Sequence, residues 1–334
     1  MAIGRVFFCL VMMSAVWMCV RPSSADRPPV PKPVGRMVKL EGHSLHVNCS
    51  GHGSPTVVVE NGFDEYSFDW ILVQSKVARF ARICTYDRPG YAWSQPGPKP
   101  RTFAQINLEL RDALAQLGEN GPFVLVGHSF GGPVVRNFAL TYPKLVAGIV
   151  FVDAASEEQR YTMQKKAILL RDGATGKAIL APREKMSVTD QPKPRPAVTP
   201  ESRVDEPFDR LPANIQKLHL WADAQTNMID AEQDERTWSP EYFKRWYETP
   251  QAGSLGSTPL LVLMRAEGGY DNDLDVPADQ LETERKLAHA HLAALSTRGK
   301  LQVVHSGHNM QVEVPDLVAQ AIHEVIAMTL RRTN

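Results

Sequence analysis

The sequence carries no excess of either charge, because 37 Lys and Arg residues balance 37 Asp and Glu residues. A neutral chain with no basic block lacks the electrostatic footprint of a nucleic-acid binder. Cysteine is scarce, with four in 334 residues. Four scattered cysteines exclude a disulfide-built scaffold and a zinc ribbon. No glycine pattern matches a dinucleotide fingerprint, and no His, Cys or Asp cluster has metal-ligand spacing, so neither cofactor nor metal is expected. There are no internal repeats. Apolar content is ample at 43%, which excludes disorder throughout and supplies a sizeable core.

The one long apolar run, Val6–Val20, is at the N-terminus. Arg5 precedes it, and the small residues Ser23 and Ala25 follow it. Fifteen residues are short for a bilayer that needs about 20. The pattern reads as a secretory signal over residues 1–25, cleaved after Ala25, with a retained anchor as the alternative. An exported chain, periplasmic or secreted, with no stable membrane span after cleavage is expected. Of the cysteines, only Cys49 and Cys84 then remain.

From residue 37 the chain reads strand, turn, strand, and then strands alternating with helices. Val57-Val58-Val59 and Ala81–Tyr86 are continuous apolar runs suited to strands buried on both faces. Thr102–Leu117 has helical periodicity, Phe123–Val126 reads as a strand, Pro133–Tyr142 as a helix and Val146–Val152 as a strand. This alternation predicts a parallel α/β sheet with ligands at the carboxyl ends of its strands. It stops after Asp153 and resumes with Pro259–Met264, a helix around Leu281–Leu295, the strand Lys300–Val304 and a helix over Pro315–Leu330. The core is therefore expected in residues 26–154 and 251–334, with 155–250 inserted as a cap.

Gly127-His128-Ser129-Phe130-Gly131 fits Gly-x-Ser-x-Gly. The motif gains its force from position, between a strand and a helix. A turn that sharp strains its middle residue, and flanking glycines relieve the clashes. Ser129 is thus a candidate nucleophile, with the Phe130 N–H aimed at an oxyanion. A serine needs a base. Among ten histidines, His308 in Ser306-Gly307-His308 follows the last strand and overhangs the strand ends, with His305 as the other candidate. His289 and His291 read as packing or solvated helix residues.

These residues together resemble the alpha/beta-hydrolase-1 superfamily. Tyr86-Asp87-Arg88-Pro89-Gly90-Tyr91-Ala92-Trp93-Ser94 is similar to its Asp-Arg-x-Gly-x-Gly-x-Ser loop, and His308 precedes Val314-Pro315 and an amphipathic helix as in that family. Ala92 departs from the family's second glycine, and Glu60-Asn61-Gly62-Phe63 stands where His-Gly is usual. The resemblance implies a mostly parallel eight-stranded sheet flanked by helices, with a second oxyanion N–H from Phe63. It leaves the triad acid open. Asp153, at the tip of Gly148–Asp153, matches relatives that carry the acid one strand after the nucleophile. Asp271 and Asp273 match those that carry it after the strand before the last. Asp153 is the preferred assignment. In this fold Ser44–Cys49 lies antiparallel beside Ala81–Tyr86, which makes Cys49 and Cys84 cross-strand neighbours and a disulfide pair.

The expected activity is hydrolysis of a small-molecule carboxylic ester through Ser129, His308 and Asp153. Amide or peptide hydrolysis, carbon–carbon bond hydrolysis and a non-catalytic binding module are the alternatives. Trp221, Met228, Trp238 and Trp246 in the insertion suggest an apolar acyl or aromatic pocket, or else the packing of a cap onto the core.

Overall fold

Valine and isoleucine dominate the central strands because their branched side chains fill both faces of a sheet that helices cover. The computed structural model of the chain describes residues 30–163, 166–169, 199, 201–249, 251–266, 268 and 275–331. The N-terminal segment 1–25, read from the sequence as a secretory signal, and the candidate acids Asp271 and Asp273 lie outside the described residues. Strands β1 (Arg36–Lys39), β2 (Ser44–Ser50), β3 (Val57–Glu60), β4 (Ile83–Tyr86), β5 (Phe123–His128), β6 (Val146–Val152), β9 (Leu260–Arg265) and β10 (Gly299–Val304) form one eight-stranded sheet. Its order is β1-β2-β4-β3-β5-β6-β9-β10. Every pairing from β4 to β10 is parallel, and only β1–β2 and β2–β4 are antiparallel. All these strands belong to the unit Pro33–Asn334.

Alternate residues feed two apolar layers. Val58, Leu125, Ile149 and Phe151 face Leu110 and Leu114 of α2 (Phe103–Gln116), Val135 and Phe138 of α3 (Gly131–Thr141), and Leu292 of α6 (Ala278–Ala294). Val57, Val59, Val124, Val126, Val150 and Val152 face Val73 and Val77 of α1 (Ile71–Val77) and Val318, Ile322 and Val325 of α8 (Pro315–Leu330). Each such side chain contributes about 1.5–3 kcal/mol on burial. At Gly148 a Cβ would sit 2.4 Å from Cγ1 of Val325, so the helix–sheet approach on that side depends on a missing side chain.

One helix was not legible, and another was legible except for its start. Helix α1 is only seven residues long, too short for a periodic signal. Helix α3 begins at Gly131, two residues before the expected Pro133. Gly131-Gly132 reads as a loop by propensity, but close packing requires small residues in that first turn. A Cβ on Gly131 would meet the Glu60 carbonyl oxygen at 2.2 Å, and one on Gly132 would meet Ala154 Cβ at 2.5 Å.

Between β6 and β9 the chain forms the small hairpin β7 (Arg160–Met163) and β8 (Lys166–Leu169), then α4 (Ala213–Asp223) and α5 (Thr226–Tyr247). Met228 of α5 packs with Tyr66, Phe68, Tyr91 and Trp93, while Phe243 and Trp246 pack on Phe103, Phe130 and Val134. Arg136 stacks on Trp246 at 4.0 Å and pairs with the buried Glu157 at 2.6 Å. Met228 and Trp246 therefore hold the insertion to the core. Trp221 is half-buried against Trp93, and the Trp238 side chain lies outside the described residues.

Cys49 and Cys84 face each other in the β2–β4 register and form a disulfide with Cα atoms 4.0 Å apart. The bond closes a loop with a sequence separation of 35. Loop-closure entropy then predicts that Cys49→Ser/Cys84→Ser loses about 3–4 kcal/mol of unfolding free energy in urea titrations. Thiol titration of the denatured, unreduced chain starting at Asp26 is expected to find no free thiol; two thiols would contradict the bond.

Candidate active site

Strand β5 ends at His128, and the chain reverses at once into α3. The turn residue Ser129 has φ 48°, in the left-handed region that costs a non-glycine residue about 1 kcal/mol or more. It is held there from three sides. Its N–H donates to the Val152 carbonyl at 3.3 Å, and its own carbonyl accepts from the N–H groups of Gly132 (3.0 Å) and Ala155 (2.9 Å). A Cβ on Gly127 would approach the Gly131 carbonyl oxygen at 2.7 Å. Both motif glycines are thus required by the closeness of strand and helix.

Asp153 ends β6, the strand next to β5, and also has a positive φ of 37°. Its carboxylate is buried, and Oδ2 lies 2.6 Å from Nδ1 of His308. The Arg265 guanidinium pairs with the same oxygen, while the Arg265 backbone N–H donates to Oδ1 at 3.2 Å. His289 Nε2 is 3.5 Å from Oδ1. Burial alone would raise the Asp153 carboxyl, but His289 and His308 beside it and the Arg265 charge hold it well below the usual carboxylate range.

His308 follows β10 in the loop before α7 (Met310–Glu313). Its ring lies 4.6 Å from that of His128, the residue preceding Ser129. Burial lowers the imidazole from its ordinary value; Asp153 opposes this, while His128 and Arg265 add to the lowering. Behind the pair, His128 Nε2 donates to the His308 carbonyl at 2.9 Å, and its Nδ1 is 2.6 Å from Glu65. Burial disfavours charge on His128, yet the Glu65 carboxylate outweighs it and raises its pKa. The structure thus brings Asp153 and His308 together at the carboxyl end of the sheet, where the neighbouring strand β5 runs into Ser129 and the ring of the preceding His128 lies beside that of His308.

Phe63 lies in the loop after β3. Gly62 allows that loop to approach Ser129, since a Cβ there would sit 3.0 Å from Ser129 Cβ. Asn61, which replaces the family's histidine, is buried and donates from Nδ2 to the Tyr86 carbonyl at 2.8 Å. Glu65 Oε2 accepts from the Gly62 N–H at 2.7 Å. The rings of Phe63 and Phe130 stack with centroids 3.9 Å apart. Neither backbone N–H has an acceptor among the described residues, so both are free to meet an oxyanion. Ala92 has φ 39°, which explains why glycine is usual there.

Sequence reasoning missed His289 and Arg265. His289 read as packing, yet it borders Asp153 because α6 crosses the end of β9. The one grouping of possible metal ligands among the described residues is Cys49, Cys84 and Glu119, whose sulfurs are joined to each other. No helix among the described residues is long and apolar enough to cross a membrane.

Comparison with known proteins places the fold. The chain is 23% identical over 288 residues to the uncharacterized protein YqjL of Bacillus subtilis, covering 86% of this chain and 89% of that one. It is 39% identical over 106 residues to an uncharacterized protein of Schizosaccharomyces pombe, and 30% identical over 117 residues to epoxide hydrolase 3 of Mus musculus. These two matches cover 31% and 34% of the chain, and 19% and 31% of the relatives' own length. The chain thus spans less than half the length of several curated relatives it matches.

Among solved structures, a thermophilic esterase from Thermogutta terrifontis superposes with TM-score 0.59 at 19% identity, over 90% of this chain and 99% of that one. A meta-cleavage product hydrolase from Pseudomonas fluorescens gives 0.56 at 18%, over 88% and 98%. At such identities the likeness establishes the fold. A family model described as the alpha/beta hydrolase family matches residues 45–321, from β2 to within α8, and the chain belongs to that family.

Proposed function

We propose that this hydrolase is an exported serine esterase acting on small carboxylic esters. The observation that carries the reading is the strained Ser129 turn beside a His308–Asp153 hydrogen bond of 2.6 Å. Ser129 Oγ attacks the ester carbonyl and His308 Nε2 takes its proton, because Nδ1 is committed to Asp153. The N–H groups of Phe130 and Phe63 stabilise the tetrahedral oxyanion. His308 then protonates the leaving alcohol and activates the water that releases the acid. Asp153 stays ionised throughout and stabilises the imidazolium.

A serine at this turn argues against the epoxide-opening branch of the fold, which uses an aspartate nucleophile. The stacked Phe63 and Phe130 rings beside the oxyanion donors favour an apolar acyl or aromatic substrate. Insertion 155–250 serves as the cap over the strand ends. Export rests on the N-terminal apolar segment and accords with a disulfide, a bond that persists in oxidising compartments. N-terminal sequencing of the exported protein should begin at Asp26.

With p-nitrophenyl butyrate, Ser129→Ala should abolish turnover and fluorophosphonate labelling; turnover that survives the substitution would exclude the mechanism. Asp153→Asn should lower kcat by about 10⁴ through the wrong His308 tautomer, and Asp271→Asn should leave it close to wild type. The reverse result would move the acid to the later strand.

The pH dependence has a defined sign. His308 acts as a base only when neutral, and its pKa is lowered. Activity should therefore persist below the ordinary histidine value of about 6.5 and fall only at more acidic pH. Arg265→Met removes a neighbouring cation, so the acidic limb of kcat/KM should move to higher pH. A wild-type limb above that ordinary value, or no movement in the variant, would contradict the electrostatic account.

A further inference from the structure

Arg88 is 1% exposed and sits in the loop after β4, a motif element that the mechanism above does not use. Its Nη1 donates to the Asn61 carbonyl at 2.6 Å and to Glu60 Oε1 at 3.0 Å. Its Nη2 donates to the Gly62 carbonyl at 2.8 Å, and its Nε donates to Glu235 Oε1 at 3.0 Å. One guanidinium therefore grips two successive carbonyls of the loop that carries Phe63.

The direction of that grip matters. The Gly62–Phe63 peptide is not among the cis bonds of the chain, and in a planar trans peptide the C=O and N–H point in opposite directions. Anchoring the Gly62 carbonyl on Arg88 therefore turns the Phe63 N–H away from Arg88. That N–H has no acceptor among the described residues, and its loop passes against Ser129 at Gly62.

Arg88 is itself held from the insertion. Glu235, on α5, is fully buried, and its second oxygen accepts from the Tyr91 hydroxyl at 2.9 Å. The next residue of the helix, Arg236, stacks on the Phe63 ring at 3.9 Å. Two neighbouring residues of α5 thus reach the same loop, one through Arg88 and one directly. A buried charge whose only task was to fasten α5 would not need to be spread over the Asn61 and Gly62 carbonyls.

We propose that Arg88 is the positioning residue of the oxyanion hole, and that Glu235, by fixing Arg88, makes the hole's geometry depend on the seating of helix α5. The inference rests on the serine-hydrolase reading of Ser129. It implies that the insertion controls catalytic power as well as substrate choice.

Wild type, Arg88→Lys, Glu235→Gln and Ser129→Ala are compared with p-nitrophenyl butyrate. Their affinity for a trifluoromethyl ketone, which adds to a serine as a tetrahedral oxyanion, is measured in parallel. Arg88→Lys keeps a cation but loses the fork that spans both carbonyls. It should lower kcat by roughly 10², the scale of one lost oxyanion donor, with KM changed less than about threefold. The ketone inhibition constant should rise in proportion to the loss in kcat/KM. Glu235→Gln should show the same pattern at roughly a tenfold loss, as expected when an interaction made only in the transition state is loosened.

A lower melting temperature with kcat per folded molecule intact would overturn the proposal, as would a rise in KM alone or a loss of kcat with unchanged ketone affinity. If Arg88→Lys does not fold, Glu235→Gln decides by the same readouts. Full activity in Ser129→Ala would instead remove the reading of Ser129 as the nucleophile, so the two failures are distinct.

Discussion

The closeness of α3 to the ends of β3 and β5 is the constraint on which the rest of the site depends. Gly131 passes so near the Glu60 carbonyl that no side chain fits between them. That approach forces Ser129 into the left-handed region and leaves the Phe130 N–H at the start of the helix. The same approach brings Ala154 and Ala155 against the turn, so that β6 delivers Asp153 one strand away. Strain of this kind persists only where surrounding hydrogen bonds over-determine the conformation. Here those bonds come from Val152, Gly132 and Ala155.

Around this turn the chain buries charge at a density unusual for a core. Glu60, Arg88 and Glu235 are all at most 1% exposed. Burial pushes the Glu60 carboxyl up to about 7 despite Arg88 beside it. Asp69, paired with His219 of α4 at 2.9 Å, is pushed up to about 6 by its burial. Such groups add little net stability, because desolvation offsets most of the Coulomb gain. They do fix geometry, since each admits few arrangements that satisfy all its partners. Both clusters join the insertion to the core, which ties α4 and α5 to defined positions on the sheet.

Much of this was legible in the sequence, for stated reasons. Val57–Val59 and Val146–Val152 announced buried parallel strands, and Ser129 stood out because Gly-x-Ser-x-Gly sat between strand and helix. His308 followed from its place after the last strand. The start of α3 was misjudged because Gly131 and Gly132 read as loop, although packing demands them in the helix. Arg88 was visible only as part of a family-like loop; its partners Asn61, Gly62 and Glu235 are 26 to 147 residues away along the chain. His289 resembled many other helical histidines until β9 and α6 brought it to Asp153.

The sequence by itself determined the class of fold and singled out Ser129 and His308 as the candidate nucleophile and base, because each leaves a local mark: alternation, a glycine-flanked serine, a histidine after a strand. It also narrowed the cysteine pairing, since only Cys49 and Cys84 remain once the N-terminal segment is set aside. The contact of Asp153 with His308 was an expectation from the resemblance, whereas which cations surround it and what holds the Phe63 loop were decided by tertiary structure alone. Those relations are made between side chains and carbonyls on different strands and helices, and no spacing along the chain encodes the register that brings them together.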